Sequence, residues 1–147
     1  RKFRGERSAG VAGGTEDDPA VTTAEIAEEY LSLCRRGEFD EAMARFFSAK
    51  HVRIESPDMI DPPTELYGVD AIKESGSGFM EDYEIHGFDI EGPFVGGRKF
   101  AARFSIDSTF KPTGRRSTLH KLDLYTVHDE RIVRSEIYYN TPPLSTR

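Results

Sequence analysis

The sequence predicts an α+β protein in which helices come first and a curved antiparallel sheet follows. Apolar residues recur with the helical period of about 3.6 over the front of the chain, and from residue 84 onward the period changes to 2. Short turns join the predicted strands, and consecutive strands joined in this way are antiparallel. We therefore expect the helices to pack on the inner face of one sheet.

Three helices are predicted ahead of the main strands. The first begins at a capping box formed by Thr22 and Glu25 and ends where Gly37 can adopt a left-handed conformation. The second is short, takes Asp40 as its N-cap, and lies beside the first because the turn between them is brief. The third covers 69–83, where two internal glycines weaken it.

The predicted strands follow from alternation of apolar and polar residues. Short alternating runs occupy 51–55 and 100–107, and longer ones occupy 116–127 and 132–139. Between the first strand and the third helix, the segment 56–65 holds three prolines, which forbid regular structure and predict a stiff loop.

The chain length fits one domain. With 147 residues it can enclose a single apolar core, and we do not expect two full domains. Residues 1–19 are rich in glycine and charge and are predicted to form a flexible or disordered tail. The domain is assigned to 20–142 and a C-terminal tail to 143–147.

Composition excludes several functional classes. The net charge of −6 disfavours nucleic acid, and no apolar run is long enough to cross a bilayer. The single cysteine, Cys34, forms no internal disulfide, so a cytoplasmic location is expected. The four histidines are dispersed and no glycine-rich phosphate motif occurs, so neither a metal nor a cofactor is expected.

Alternation along 116–127 divides this strand into two faces, and both faces are partly apolar. A sheet covered by helices on one side should be polar on the other, so we expect a homodimer formed through the outer sheet face. Scattered surface apolar residues are the alternative. The inner face carries Leu119, Lys121, Asp123, Tyr125 and Val127, and the outer face carries Thr118, His120, Leu122, Leu124 and Thr126.

Five segments resemble a known family: EYLSLCRRGEFDEA (29–42), VRIESP (52–57), GVDAI (68–72), IHGFDIEGPF (85–94) and LYTVHDERIV (124–133). Together they are similar to the SnoaL-like branch of the NTF2-like superfamily. The resemblance implies a cone-shaped barrel of the cystatin-like kind, with an apolar cavity between helices and sheet, usually in a homodimer. It leaves the activity open, because this fold hosts isomerases, polyketide cyclases, dehydratases, epoxide hydrolases and non-enzymatic binding domains.

Resemblance to ketosteroid isomerase, a member of this superfamily, implies catalytic roles. Its oxyanion-hole tyrosine falls on Tyr30, and its neutral aspartic acid falls on Asp123. The general-base position falls on Ser56, which is a departure because a serine hydroxyl cannot abstract a carbon-bound proton unaided. A carboxylate of the same segment would have to replace it: Glu55, Asp58 or Asp61.

Each catalytic assignment has a structural alternative. Asp123 can donate a proton only if burial keeps it protonated, and Lys121 on the same face argues against that. It would otherwise be ionised and paired with Lys121 or with Arg103 across the sheet. Tyr30 could be a core tyrosine whose hydroxyl is satisfied internally.

We expect the cavity to bind a hydrophobic small molecule. One hypothesis is an isomerase or cyclase that acts by acid–base chemistry on a carbonyl compound, and the other is a ligand-binding or interaction domain without turnover. His86 and His120 are the best alternative acid–base groups, and alternation places His120 on the face away from the cavity. The predicted substrate-binding residues are Phe47, Phe79, His86, Phe104, Ile106, Ile137 and Tyr139.

Overall fold

The computed structural model describes residues 21–55 and 64–140. The predicted tails at 1–19 and 143–147 lie outside the described residues, as does nearly all of the proline-rich loop. The helices are α1 (Thr23–Arg35), α2 (Phe39–Phe46) and α3 (Val69–Asp82). The strands are β1 (Phe47–Glu55), β2 (Glu65–Tyr67), β3 (Tyr83–Gly96), β4 (Lys99–Phe110), β5 (Arg115–His128) and β6 (Arg131–Tyr139).

The strands form one sheet in the order β2-β1-β6-β5-β4-β3. Strands β3 to β6 are antiparallel neighbours, as their short connections require. Strand β1 pairs with β6 in parallel, which the sequence did not predict. A helix and four strands separate β1 from β6 in the chain, so no short turn dictates their relative direction. The α+β class is confirmed, with one parallel pair in an otherwise antiparallel sheet.

Helix α1 begins and ends as its sequence predicts. The Thr22 hydroxyl accepts from the backbone N–H of Glu25 at 3.1 Å, and the Glu25 carboxylate accepts from the backbone N–H of Thr22 at 2.9 Å. Gly37 follows with φ of 78°, the left-handed conformation that glycine adopts without steric cost.

No helix in the described part of the chain is long and apolar enough to span a membrane.

The predicted N-cap of α2 is wrong. The helix begins at Phe39 with Glu38 at the N-cap position, and no side chain caps it. Asp40 lies instead within the first turn, where a carboxylate interacts favourably with the helix dipole. At the other end, Phe47 leaves the helix and opens β1.

A bulge bends β3 and helps to give the sheet its concave face. The β3–β4 register shifts between Glu91 and Phe94, and Gly92 in this bulge has φ of 125°. A Cβ atom there would lie 2.9 Å from the carbonyl oxygen of Ala101, so glycine is required. Arg35, the last residue of α1, donates to the Gly92 carbonyl at 2.7 Å and thereby fastens the helix to the bend.

The outer sheet face carries exposed apolar residues. Leu122 is 41% exposed and Tyr138 is 47% exposed, and the two are directly opposite in the β5–β6 register. His120 also lies on this face, where its Nδ1 is 2.9 Å from the Ser105 hydroxyl. The expectation that His120 points away from the helices is confirmed, and the homodimer through this face stays a prediction.

Candidate functional site

A cavity of about 1040 Å³ lies between the helices and the concave sheet. Its size suits a ligand as large as a polycyclic small molecule. Five of the predicted substrate-binding residues line this cavity and give it an apolar surface. They are Phe47, Phe79, Phe104, Ile106 and Ile137.

Two predicted substrate-binding residues lie elsewhere. His86 is exposed and bonds through Nε2 to the Thr109 hydroxyl at 2.7 Å, outside the lining. The β3–β4 register shifts between Ile85 and Gly87, and Ile85 lines the cavity in place of His86. Tyr139 also lies outside the lining, and its hydroxyl donates to Glu55 at 3.0 Å.

Asp123 lies on β5 at the cavity floor and is 3% exposed. Its Oδ2 atom accepts from the Tyr125 hydroxyl at 2.8 Å and from Lys121 Nζ at 3.2 Å. Its Oδ1 atom is buried and has no hydrogen-bond partner among the described residues. One oxygen of this carboxyl group is therefore held by two donors, and the other has no hydrogen-bond partner among the described residues.

Tyr30 reaches the same cavity from α1. Burial raises the pKa values of Tyr30 and Tyr125 well above the usual range, so both phenols stay protonated. Their rings pack edge to face with centroids 5.2 Å apart, and Tyr125 gives its one hydroxyl proton to Asp123. Tyr30 thus lines the cavity and packs against the residue that donates to Asp123.

The pairing of Asp123 with Lys121 matches the structural alternative considered for this residue. The Lys121 side chain is largely buried, and its Nζ lies 4.7 Å from the centroid of the Phe104 ring. Arg103, the other partner considered, pairs instead with Glu91 at 2.8 Å on the outer face. A lysine ammonium has three donors, so donation to Asp123 leaves two protons for other acceptors.

Glu55 is the one candidate replacement for the missing base that lies within the described residues, and it does not line the cavity. Glu55 ends β1, outside the cavity lining, and its carboxylate is occupied by Tyr139 and by Arg53, whose Nε lies 3.2 Å away. Ser56 lies outside the described residues, as do Asp58 and Asp61. The assignment of a base role to any of them stays a prediction.

Arg53 and Ser135 are among the polar lining residues that sequence reasoning missed. Alternation places Ser135 on the same face as Ile137, and it places Arg53 on the same face as Glu55. That signal was present in the sequence. Their juxtaposition was not, because it depends on the parallel register in which Arg53 lies opposite Ser135.

His51 lies beneath Ser135 and is completely buried. Its Nδ1 is 2.9 Å from the Ile132 carbonyl oxygen, and its Nε2 is 2.9 Å from the Ser135 hydroxyl. The ring stacks on Phe47 with centroids 3.9 Å apart. Burial lowers the pKa of His51 to about 4, so the imidazole is neutral at physiological pH.

His51 should make the protein sensitive to mild acid. Its pKa is lower in the folded state than the ordinary 6.5, so between these two values the unfolded chain binds more protons and stability falls as pH falls. We expect this group alone to reduce the free energy of unfolding by about 2 kcal/mol between pH 7 and pH 5. Urea unfolding of the wild type and of His51→Gln at both pH values measures it. If the free energy of unfolding falls by the same amount between pH 7 and pH 5 in the two proteins, the assignment to His51 is wrong.

Cys34 also borders the cavity. Burial raises the pKa of its thiol to about 12, so it is not a thiolate nucleophile, and in its buried position it packs as a small apolar residue. Among the described residues, no cluster of histidine, cysteine, aspartate and glutamate has the geometry to hold a metal ion.

Comparison with known proteins decides the family. Residues 21–139 match the family model described as the SnoaL-like domain. The chain belongs to the SnoaL-like family. No curated protein sequence matches this SnoaL-like chain significantly.

Solved structures similar to this SnoaL-like chain support the same fold. A proposed SnoaL-like polyketide cyclase from Mesorhizobium loti is 34% identical, with a TM-score of 0.76 over 81% of this chain and 100% of that one. An NTF2-like protein from Burkholderia thailandensis is 15% identical, with a TM-score of 0.72 over 82% and 92%. A proposed isomerase from Bacillus subtilis is 20% identical, with a TM-score of 0.63 over 82% and 90%. The predicted family and its NTF2-like fold are confirmed.

Proposed function

We propose that this SnoaL-like protein is an acid–base enzyme that isomerises or cyclises a hydrophobic carbonyl compound, with Asp123 as the group that transfers the proton. The observation that carries the proposal is the asymmetric carboxyl group of Asp123. Its Oδ2 is held by two donors, while its buried Oδ1 is unpartnered among the described residues, and the residue lines the cavity.

The surroundings of Asp123 suit a base better than a neutral donor. Lys121 and Tyr125 both donate to Oδ2, and the Lys121 ammonium forms a charge-assisted contact of 3.2 Å with this oxygen. An ionised Asp123 can accept an α-proton from a substrate at Oδ1 and return it to another carbon or oxygen atom. The resemblance to ketosteroid isomerase implied the opposite role, a protonated Asp123 that donates to an oxyanion.

Removal of an α-proton leaves an enolate, whose oxygen needs a donor in a site that excludes bulk water. Lys121 provides that donor in this proposal, because its ammonium keeps protons free after donating to Asp123. The aromatic lining supplies the apolar surroundings, with Phe104 packed beneath the ammonium. In a site of low dielectric constant, a charged donor stabilises a developing oxyanion more strongly than it would in water.

The names of two similar proteins point in the same direction. The Mesorhizobium loti protein is proposed to be a polyketide cyclase, and the Bacillus subtilis protein is proposed to be an isomerase. Cyclisation of a polyketide moves a proton next to a carbonyl group. The first protein shares about a third of its residues with this chain, so it is the more informative of the two.

The proposal is tested by hydrogen exchange at carbon. We expect the wild-type protein, incubated with 2-tetralone in D₂O at pH 7, to accelerate loss of the α-proton NMR signals above the rate in buffer alone. The ¹³C signal of the Asp123 carboxyl group should have the shift of a carboxylate at that pH. If 2-tetralone binds without accelerated exchange, or if Asp123 is protonated, the base assignment is wrong and the ligand-binding alternative gains support.

A further inference from the structure

We propose that Ser135 and Arg53 form a subsite that binds a hydroxyl group next to a carbonyl or carboxylate oxygen, so that the substrate is a hydrophobic hydroxy-carbonyl compound. This inference rests on the proposed function, because it concerns the same cavity. It assigns the hydroxyl of the guest to Ser135 and the acceptor oxygen to Arg53. Neither residue has a role in the acid–base step itself.

The hydrogen-bond network beneath Ser135 makes this serine an acceptor toward the cavity. The Ile132 carbonyl can only accept, so Nδ1 of His51 carries the proton and donates to it at 2.9 Å. In a neutral imidazole, Nε2 is then an acceptor, and the Ser135 hydroxyl must donate to it at 2.9 Å. The single hydroxyl proton of Ser135 is thereby used. Only its lone pairs remain for a guest, and a guest hydroxyl can donate to them.

Arg53 has the opposite character. Its side chain is four-fifths buried and lines the cavity, and a guanidinium carries donors only. Its Nε lies 3.2 Å from a Glu55 oxygen, but the geometry is not that of a hydrogen bond, so this buried N–H has no partner among the described residues. A buried cation with spare donors favours an oxygen acceptor in the cavity, and a carboxylate or carbonyl group fits it.

The sheet register places these two groups side by side. Arg53 on β1 lies opposite Ser135 on β6, and Ser135 lies opposite Tyr125 on β5. Neighbouring strands are about 4.8 Å apart, so an acceptor and a donor on adjacent strands can contact two oxygens on adjoining carbon atoms. Asp123 is two residues from Tyr125 on the same face of β5, which places the base next to this subsite.

A subsite of this kind selects among guests because a guest that lacks one of the two groups leaves a buried polar group of the protein without a partner. If a guest lacks the hydroxyl group, the lone pairs of Ser135 gain no partner in the cavity. If it lacks the acceptor oxygen, N–H donors of Arg53 stay unsatisfied, although Glu55 still balances the charge of the guanidinium. The rest of the lining is largely aromatic and aliphatic, so it holds the carbon skeleton without fixing its orientation. Orientation relative to Asp123 would therefore come from Ser135 and Arg53.

Three matched probes test the inference by equilibrium binding. They are 2-hydroxy-3-(2-naphthyl)propanoate, its deoxy analogue 3-(2-naphthyl)propanoate, and the methyl ester of the hydroxy acid, each titrated by naphthyl fluorescence. We expect the wild type to bind the hydroxy acid about 2- to 10-fold more tightly than the deoxy acid. In Ser135→Ala this ratio should approach one. Ser135→Thr keeps the hydroxyl and should retain the preference, which separates recognition from any loss of folding.

Arg53→Gln should weaken binding of the hydroxy acid about 10- to 100-fold and of its neutral ester much less. Arg134→Gln is the matched control, because Arg134 is exposed on the neighbouring position of β6 and lies outside the cavity lining. Equal affinity of the wild type for the hydroxy and deoxy acids would overturn the Ser135 assignment. Equal effects of Arg53→Gln and Arg134→Gln would overturn the Arg53 assignment. These affinities need no turnover, so the subsite and the acid–base function can fail independently.

Discussion

Replacing Asp123 by asparagine is expected to slow α-proton exchange of 2-tetralone about 10²- to 10⁴-fold, the usual contribution of a positioned general base. Asparagine has nearly the same shape, and its carbonyl oxygen can still accept from Tyr125. It lacks the basic oxygen that Oδ1 provides. The variant should therefore still bind the ketone while losing turnover. Rates from NMR exchange and affinities from titration measure the two effects separately.

Asp107→Asn is the matched control for this experiment. Asp107 is a β4 carboxylate outside the cavity lining, paired with Arg116 at 2.8 Å. We expect its loss to leave the exchange rate within about twofold, because surface ion pairs contribute little to structure. If Asp123→Asn and Asp107→Asn exchange at similar rates, proton transfer does not pass through Asp123. The carboxylates outside the described residues would then become the candidates.

Replacing Phe100 by alanine is expected to lower the free energy of unfolding by about 3–5 kcal/mol, the usual cost of removing a buried aromatic ring. Phe100 is 1% exposed, and its ring stacks on Tyr125 with centroids 4.7 Å apart. The space left behind would also let Tyr125 shift, so the Asp123 carboxylate would lose part of its support. Urea denaturation measures the first effect, and the exchange assay measures the second.

Phe94→Ala provides the comparison for Phe100. Phe94 lies on the adjacent strand β3 but is 61% exposed, so its truncation should cost less than about 1 kcal/mol. Similar losses of stability for Phe94→Ala and Phe100→Ala would show that the core does not lie where the structure places it.

Local rules were sufficient to predict the inner face of the fold. The capping box at Thr22 fixes where α1 begins and hence which residues face the sheet, and strand alternation fixes the facing of Asp123. These rules act over a few residues, and together with the family resemblance they predicted that Tyr30 and Asp123 face one cavity, which both residues line. Their partners, Tyr125 and Lys121, were on the predicted face of the same strand.

The remaining features depend on pairings between distant segments. The bulge near His86 turns that side chain outward, and alternation cannot reveal where a register will shift. The meeting of Arg53 and Ser135 requires the parallel β1–β6 register, which has no local signal. The prediction of the α2 N-cap was wrong for a different reason. Asp40 is equally acceptable as an N-cap and as a first-turn residue, so its presence does not fix where the helix begins.

The position of β1 between β2 and β6 has a consequence for folding. Strand β1 precedes the other five strands in the chain, whereas its partner β6 is the last strand in chain order. A pairing that closes so long a loop is entropically costly and slow to form. Strands β3 to β6, in contrast, can pair one after another as successive hairpins. We therefore expect the Arg53 guanidinium and the Ser135 hydroxyl to meet late in sheet assembly, so a nascent polypeptide would complete the proposed subsite only after β6 has emerged from the ribosome.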